Sequence, residues 1–379
     1  LYYINLFTMY LTILIPCLNE EKTISYCINK AKKFLTSLNK KSEILIVDNG
    51  STDRTINIAK KNGARVVVEK SKGYGSALIK GIKNSKGKYI IMGDADGSYD
   101  FSNLNPFIKK FEQNFDVVCG NRFKGGIEKN AMPFLHKYIG NPILSYIGRL
   151  FFSLKLGDFH CGLRGFNRSK ILSLDLQTTG MEFASEILVK SGLQNLKICE
   201  VNVKLYKDKR DRKPHLKTWS DGWRHLTFLF FYAPKWLFFI PGLSLLSIGL
   251  FLYFLTIKGT FMLNAKMNLD IFTLYAGSIM ILIGSQLYSI GIFAKLYNNK
   301  NYKIFDKLNK IFLSIAIICF LFSIFGIYLS LNYWFANDYN FINYKILGRY
   351  LITSGSLLLI SFQLFINLLL FNFLRKNIS

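Results

Sequence analysis

Four apolar stretches in the C-terminal part of the chain, at about residues 236–257, 271–294, 311–331 and 350–373, constrain its fold more than any other feature. Each is close to the about 20 residues an α-helix needs to cross a bilayer, and none has a charged residue in its interior. Core helices of a soluble protein are also apolar, but four in succession with no strand pattern between them describe a transmembrane region. The breaks between them set an orientation. Residues 295–310 carry five lysines and one aspartate, and the tail after the last stretch begins Arg375-Lys376, whereas 258–270 and 332–349 carry two basic residues each. The positive-inside rule then places the lysine-rich loop, the C-terminus and everything before residue 236 on the cytosolic side. The chain is expected to be an integral membrane protein with a cytosolic N-terminal domain.

Residues 215–235 lead into the first span and mix Trp219, Trp223, Phe228, Phe231 and Tyr232 with Lys217, Arg224 and Lys235. That mixture suits a helix lying in the headgroup layer with its apolar side down. The formal net charge of +26 invites a nucleic-acid reading, but the basic residues are spread over the N-terminal half and the loops, with no nucleic-acid module. Attraction to anionic lipid headgroups and anionic substrates accounts for them, and no nucleic-acid partner is expected. The six cysteines are scattered without C-x-x-C spacing, as expected of reduced, mostly buried thiols. The apolar N-terminal stretch is short, is broken by Asn5 and Thr8, and runs into a first strand rather than reading as a signal peptide.

Residues 1–214 alternate short β-branched runs (11–15, 43–47, 65–68, 89–92, 116–119) with helix-like segments (22–38, 54–61, 75–84, 103–113). This alternation predicts an α/β domain: a mostly parallel sheet with helices on both faces. Ligands of such sheets bind beyond the carboxyl ends of the strands, and the polar residues that interrupt the pattern fall there. Asn19 and Glu20 follow the first strand, Asp48 and Asn49 the second, Asp94 and Asp96 the fourth.

Asp48-Asn49-Gly50-Ser51-Thr52-Asp53, taken alone, reads as a turn and helix cap. Lys72-Gly73-Tyr74-Gly75-Ser76-Ala77 has the look of a phosphate-cradling loop but lacks the third glycine of a dinucleotide fold. Gly93-Asp94-Ala95-Asp96-Gly97 says more. Two carboxylates one residue apart at a strand end offer hard oxygen ligands to Mg²⁺ or Mn²⁺ bridging to a diphosphate, although a solvated turn would read the same way in isolation.

Together these residues resemble the family 2 glycosyltransferases of the nucleotide-sugar transferase A fold, in particular the branch of dolichyl-phosphate mannose synthase and bacterial polyprenyl-phosphate sugar transferases. The resemblance rests on Ile15-Pro16-Cys17-Leu18-Asn19-Glu20, the Asp48–Thr55 segment, Gly73-Tyr74-Gly75, Asp94-Ala95-Asp96, Gly120-Asn121-Arg122-Phe123, Asp158–Phe166, Met181–Glu186 and Arg212–Lys217, in the family's order. It implies that Pro16, Asn19, Glu20, Asp48 and Asp94 bind a GDP- or UDP-linked sugar and that Asp94 and Asp96 hold Mg²⁺ or Mn²⁺. Asp96, Arg122 and Arg164 form the implied catalytic set. Relatives place an arginine for the lipid phosphate near His136-Lys137, so Lys137 is an acceptor-phosphate candidate here, with Arg212 and Lys217.

The implied reaction is inverting transfer from a nucleoside-diphosphate sugar to a polyprenyl phosphate (dolichyl or undecaprenyl type) at the cytosolic face. A sugar hydroxyl acceptor needs a protein base, whereas a phosphate monoester, with a second pKa near ~6, arrives as an anion. The abundance of Arg and Lys, the interfacial helix and the lack of a Q-x-x-R-W segment favour the phosphate. The alternatives are an enzyme extending a glycan or lipid at a sugar hydroxyl, with Glu182 as the base and Glu186 as a second candidate, and a membrane scaffold or translocation component with a degenerate transferase domain. The four spans would anchor the enzyme or pair it with a translocase.

Overall fold

The computed structural model describes residues 9–210, 218–264, 267–299, 302–339 and 343–376. It divides into two compact units, Leu1–Leu229 and Phe230–Ser379.

The first unit is built on seven strands: β1 (Met9–Cys17), β2 (Ser42–Asp48), β3 (Arg65–Val68), β4 (Gly87–Met92), β5 (Val117–Asn121), β6 (Arg164–Asn167) and β7 (Ile198–Asn202). Their order in the sheet is β3-β2-β1-β4-β6-β5-β7. All neighbours are parallel except β6, which runs antiparallel to both β4 and β5. Side chains of β1 alternate between two cores, as the period of two requires. Leu11, Ile13 and Ile15 face Ile24, Cys27, Ile28, Ala31 and Phe34 of α1 (Ile24–Leu38), while Leu14 joins Leu45, Val47 and the Ala77, Leu78 and Ile82 stripe of α3 (Tyr74–Asn84) on the other face. The shorter α2 (Thr55–Lys61) and α4 (Asn105–Glu112) complete the first half.

Five strands follow the β-branched runs; β6 and β7 were not foreseen. Arg-Gly-Phe-Asn is a poor strand sequence. It pairs antiparallel between β4 and β5, and Gly165 leaves room for the Phe111 ring, which would lie 2.6 Å from a Cβ there. Register places the site: Cys17 pairs with Asp48 and Leu14 with Met92, so β1, β2 and β4 end together along one edge.

Beyond β5 lie α5 (Arg122–Gly125), a π-type turn (His136–Gly140) running into α6 (Asn141–Phe152), α7 (Arg168–Leu172), α8 (Phe183–Leu193) and α9 (Thr218–Phe231). On α9, Asp221, His225 and Leu229 recur at helical spacing and are buried, while Trp219 and Trp223 are 82% and 68% exposed. The helix thus has a face packed on the protein and a tryptophan face turned outward.

The second unit holds α10 (Ile240–Thr256), α11 (Ile271–Asn299), α12 (Tyr302–Phe335) and α13 (Tyr344–Lys376), four helices long and apolar enough to span a membrane. Gly242 and Gly249 on α10 meet Gly284 and Gly277 on α11; a Cβ on Gly249 would lie 2.8 Å from Gly277 O. Small residues at this spacing let two helix backbones touch, which dispersion rewards in a lipid environment. Between α11 and α13, the Asn367 amide donates to Gln286 Oε1 at 3.3 Å. Near its start α13 carries Lys345 and Arg349, both paired with Asp270.

Candidate functional site

At the shared edge, two turns are laced together. Asn19 adopts a left-handed backbone (φ 56°) after β1, where asparagine is among the few tolerated side chains. Its Oδ1 accepts from Thr52 N at 2.8 Å, its own N–H donates to Ser51 Oγ at 2.8 Å, and Glu20 N donates to Thr55 Oγ1 at 2.8 Å. Pro16 is buried within β1, opposite Val47. Asp48 Oδ2 accepts from Gly50 N and Ser51 N, both at 3.0 Å, so this carboxylate does organise the turn, as its sequence alone suggested. Asp48 is buried, and the protonated Cys17 thiol lies 3.7 Å from its Oδ1.

The Gly73-Tyr74-Gly75 loop faces protein rather than an open groove. A Cβ on Gly73 would lie 2.2 Å from Thr179 O, and one on Gly75 2.2 Å from Thr178 O. Those glycines let the loop pack directly on the backbone of Thr178 and Thr179. Asn49 pins the loop by accepting from Gly73 N at 2.7 Å and donating to Ser71 O at 2.8 Å. The consequence reaches the carboxylate pair: Tyr74, first residue of α3, donates its hydroxyl to Asp94 Oδ1 at 3.0 Å.

Asp94 and Asp96 follow β4. Burial and the neighbouring Asp96 charge push the Asp94 carboxyl up to about 6, so the pair favours a cation beside it. Asp96 is buried; its Oδ1 accepts from Ser98 N at 2.9 Å and Ser98 Oγ at 2.6 Å, and its Oδ2 is paired with Arg210. Arg210 Nε stands 3.3 Å from Glu20 Oε1. Glu20 and Asp96, beyond the ends of two adjacent strands, therefore share the Arg210 guanidinium, whose charge also reaches Asp94. Among the described residues no three His, Cys, Asp or Glu side chains converge closely enough to hold an ion unaided. A pair of carboxylates does fit Mg²⁺ or Mn²⁺ in the mode where substrate phosphates and water complete the shell. The positively charged group already drawn to Asp96 is in keeping with that fit.

The arginines are arranged differently. Arg122, buried after β5, forms a two-pronged pair with Asp158: Nε to Oδ2 at 2.7 Å and Nη2 to Oδ1 at 2.8 Å. Burial would raise the Asp158 carboxyl, but the Arg122 charge overrides it and holds the group below its ordinary value. Arg164 is 0% exposed and gives its donors to the carbonyls of Phe159, Cys161 and Ala184 at 2.5–2.7 Å. It braces the loop before β6, and that loop presses on the carboxylate pair, since a Cβ on Gly162 would lie 2.4 Å from Asp94 Oδ2.

Glu186 is buried and accepts from Gln177 N, Thr178 N and Thr178 Oγ1, with Lys190 Nζ 2.7 Å away. It holds the strand of chain against which Gly73 and Gly75 pack. Glu182 differs: Oε1 accepts weakly from Gly180 N at 3.3 Å, and Oε2 is buried with no hydrogen-bond partner among the described residues. Lys137 sits in the π-type turn, its Nζ 5.1 Å from the Tyr138 ring centre. Arg212 and Lys217 lie outside the described residues.

The structure thus brings Glu20, Asp94 and Asp96 together with two residues the sequence did not single out, Tyr74 and Arg210. Tyr74 lay in a motif already noticed for its glycines. Arg210 belongs to the basic run Lys207-Asp208-Lys209-Arg210, which shows charge but not which side chain turns inward.

The family model described as glycosyl transferase family 2 matches residues 12–174. The low-salt glycan biosynthesis hexosyltransferase Agl6 of Haloferax volcanii is 36% identical over 285 residues, covering 75% of this chain and 68% of that protein. The dolichyl-phosphate hexose transferase of the same organism is 27% identical over 51% of this chain and 81% of its own length. The dolichyl-phosphate beta-glucosyltransferase of Dictyostelium discoideum is 29% identical over 52% of this chain and 66% of its own.

Proposed function

Because the chain belongs to glycosyltransferase family 2, we propose that it is a membrane-bound hexosyltransferase moving a sugar, with inversion, from a nucleoside-diphosphate donor to a polyprenyl phosphate at the cytosolic face. One observation carries this reading: Asp94 and Asp96 stand together at the carboxyl edge of the sheet, where Asp96 and Glu20 draw the Arg210 guanidinium. The edges of β1 and β2, with Pro16, Asn19 and Asp48, supply the donor-binding side, and the relatives' names supply the acceptor class. The basic loop and tail that follow the positive-inside pattern support the cytosolic orientation.

A divalent ion bound at Asp94 and Asp96 would neutralise charge gathering on the leaving diphosphate. The chain's own residues prepare that place. Tyr74 and Ser98 fix the two carboxylates, and the loop braced by Arg164 packs against Asp94 and covers it. Arg122, held rigid by Asp158, adds positive charge near His136, whose pKa is lowered by burial and by that arginine. Lys137 in the same turn, with Arg212 and Lys217, would meet the acceptor phosphate.

A phosphate acceptor needs no base, and Glu186 is committed to the backbone of residues 177 and 178. The second reading, transfer to a sugar hydroxyl, is favoured by one feature: the partnerless Glu182 Oε2. Membranes containing the protein, incubated with a panel of labelled nucleotide-sugars and polyprenyl phosphate, should yield label extractable into organic solvent with one donor. The label should disappear with Asp96→Ala. No lipid-linked label with any donor would overturn the proposal.

A further inference from the structure

Arg210 is placed where a small cation would be expected. Its Nη2 pairs with Asp96 Oδ2 and its Nε approaches Glu20 Oε1 to 3.3 Å, joining the ends of β4 and β1. The other oxygen of Asp96 is taken by Ser98, so both are engaged. Nor is Arg210 a casual visitor. The segment that carries it is fastened along the turn after Asp96: Lys209 N donates to Asp96 O and Tyr206 N to Ser98 O, each at 2.9 Å. Lys209 Nζ lies 3.6 Å from the centre of the Tyr26 ring, close enough for a cation–π contact. Gly97, at φ +78°, makes the turn that lets the strap lie flat, and a Cβ there would meet Lys209 Cδ at 3.3 Å.

Buried carboxylates need a counter-charge, and here the chain provides one itself. A divalent ion and a guanidinium drawn to the same Asp96 Oδ2 would crowd one oxygen and repel one another, so the two compete for it. We infer that Arg210 is the resting occupant of the cation seat. Arg210 and a divalent cation hold Asp96 in turn, and loading the cation evicts Arg210 and lifts the strap 206–210 from the Asp96–Ser98 turn. This rests on the reading of Asp96 as a metal ligand. It adds a coupling: the strap is closed while the site is empty and is released only when the site is charged, so that metal binding and strap opening are one equilibrium.

Two measurements on the full chain in detergent test it, with Mn²⁺ as the probe. The first follows bound Mn²⁺ by electron paramagnetic resonance in the wild type and Arg210→Gln. A resting occupant taxes apparent affinity by the fraction of molecules whose seat is free, so the variant should half-saturate at roughly tenfold lower Mn²⁺. The second needs no variant: trypsin cleavage after Lys207 or Lys209, located by mass spectrometry, should quicken when Mn²⁺ alone is added to the wild type. Equal half-saturation in the two chains, or Mn²⁺ binding that leaves the cleavage rate unchanged, overturns the inference while leaving the metal site intact. If neither chain takes up Mn²⁺, even with UDP or GDP present, the metal reading of Asp96 itself is what fails.

Discussion

The hydroxyl of Tyr74 donates to Asp94 Oδ1 across 3.0 Å, so the first residue of α3 holds the first carboxylate of the pair after β4. Tyr74→Phe removes that donor without opening a cavity. Loss of one such hydrogen bond should cost about 1 kcal/mol of stability. The Mn²⁺ concentration for half-maximal transfer should rise several-fold. Metal titration of the variant, beside its thermal unfolding, checks this; an unchanged metal requirement would show that Tyr74 does not tune Asp94.

Arg122 and Asp158 form a buried two-pronged pair. Asp158→Asn would leave the guanidinium without its counter-charge, at a cost of about 3–5 kcal/mol. Replacing both, as Arg122→Met with Asp158→Leu, should recover much of the thermal midpoint but not activity. Thermal unfolding of the single and double variants, beside their sugar-transfer rates, checks both.

Glu182 and Glu186 sit four residues apart on or beside α8 but should respond differently to the same change. Glu186→Gln gives up carboxylate hydrogen bonds to residues 177 and 178 and the ion pair with Lys190, and should destabilise by about 2 kcal/mol. Glu182→Gln should leave transfer to polyprenyl phosphate near the parent rate. A crippling effect of Glu182→Gln with normal thermal unfolding would favour a hydroxyl acceptor.

His225 on α9 and His160 before β6 both approach Ser185 Oγ, at 2.8 Å and 3.5 Å. Burial, with Arg164 nearby, pushes His225 down to about 4, and His160 lies well below the usual range through burial and its neighbours His225, Arg164 and Arg122. A depressed folded-state pKa means that the unfolded chain binds more protons between about pH 6.5 and 4, so stability is lost as pH falls through that window. A shift of this size in His225 alone corresponds to about 3 kcal/mol by pH 4. His225→Gln should flatten the acid limb of the thermal midpoint, followed by tryptophan fluorescence from pH 8 to 4; an unchanged slope would contradict it.

Much of this was legible from residue order. Buried β-branched runs announced β1, β2 and β4, and strand ends announced Glu20, Asp48, Asp94 and Asp96, because hydrophobic period and turn chemistry are local. The four apolar helices were legible for the same reason. What escaped depended on distant partners. Arg210 and Asp96 are 114 residues apart, and nothing in Lys207–Arg210 says which cation turns inward. Arg164 belongs to the implied catalytic set, yet its donors go to carbonyls, a distinction only packing makes. The glycines of Gly73-Tyr74-Gly75 stood out in the sequence, but their close approach to Thr178 and Thr179, about a hundred residues on, did not.

In the proposed reaction the nucleophile is a lipid phosphate that brings its own charge to a site built on Asp94 and Asp96. The most direct measurement is the mass of the product when purified protein, the active nucleotide-sugar and Mn²⁺ are offered an equimolar mixture of polyprenyl phosphate and a lipid-linked sugar. The expected product is polyprenyl phosphate carrying one added sugar, with none formed by Asp96→Ala. Extension of the lipid-linked sugar, with polyprenyl phosphate left unmodified, would contradict it.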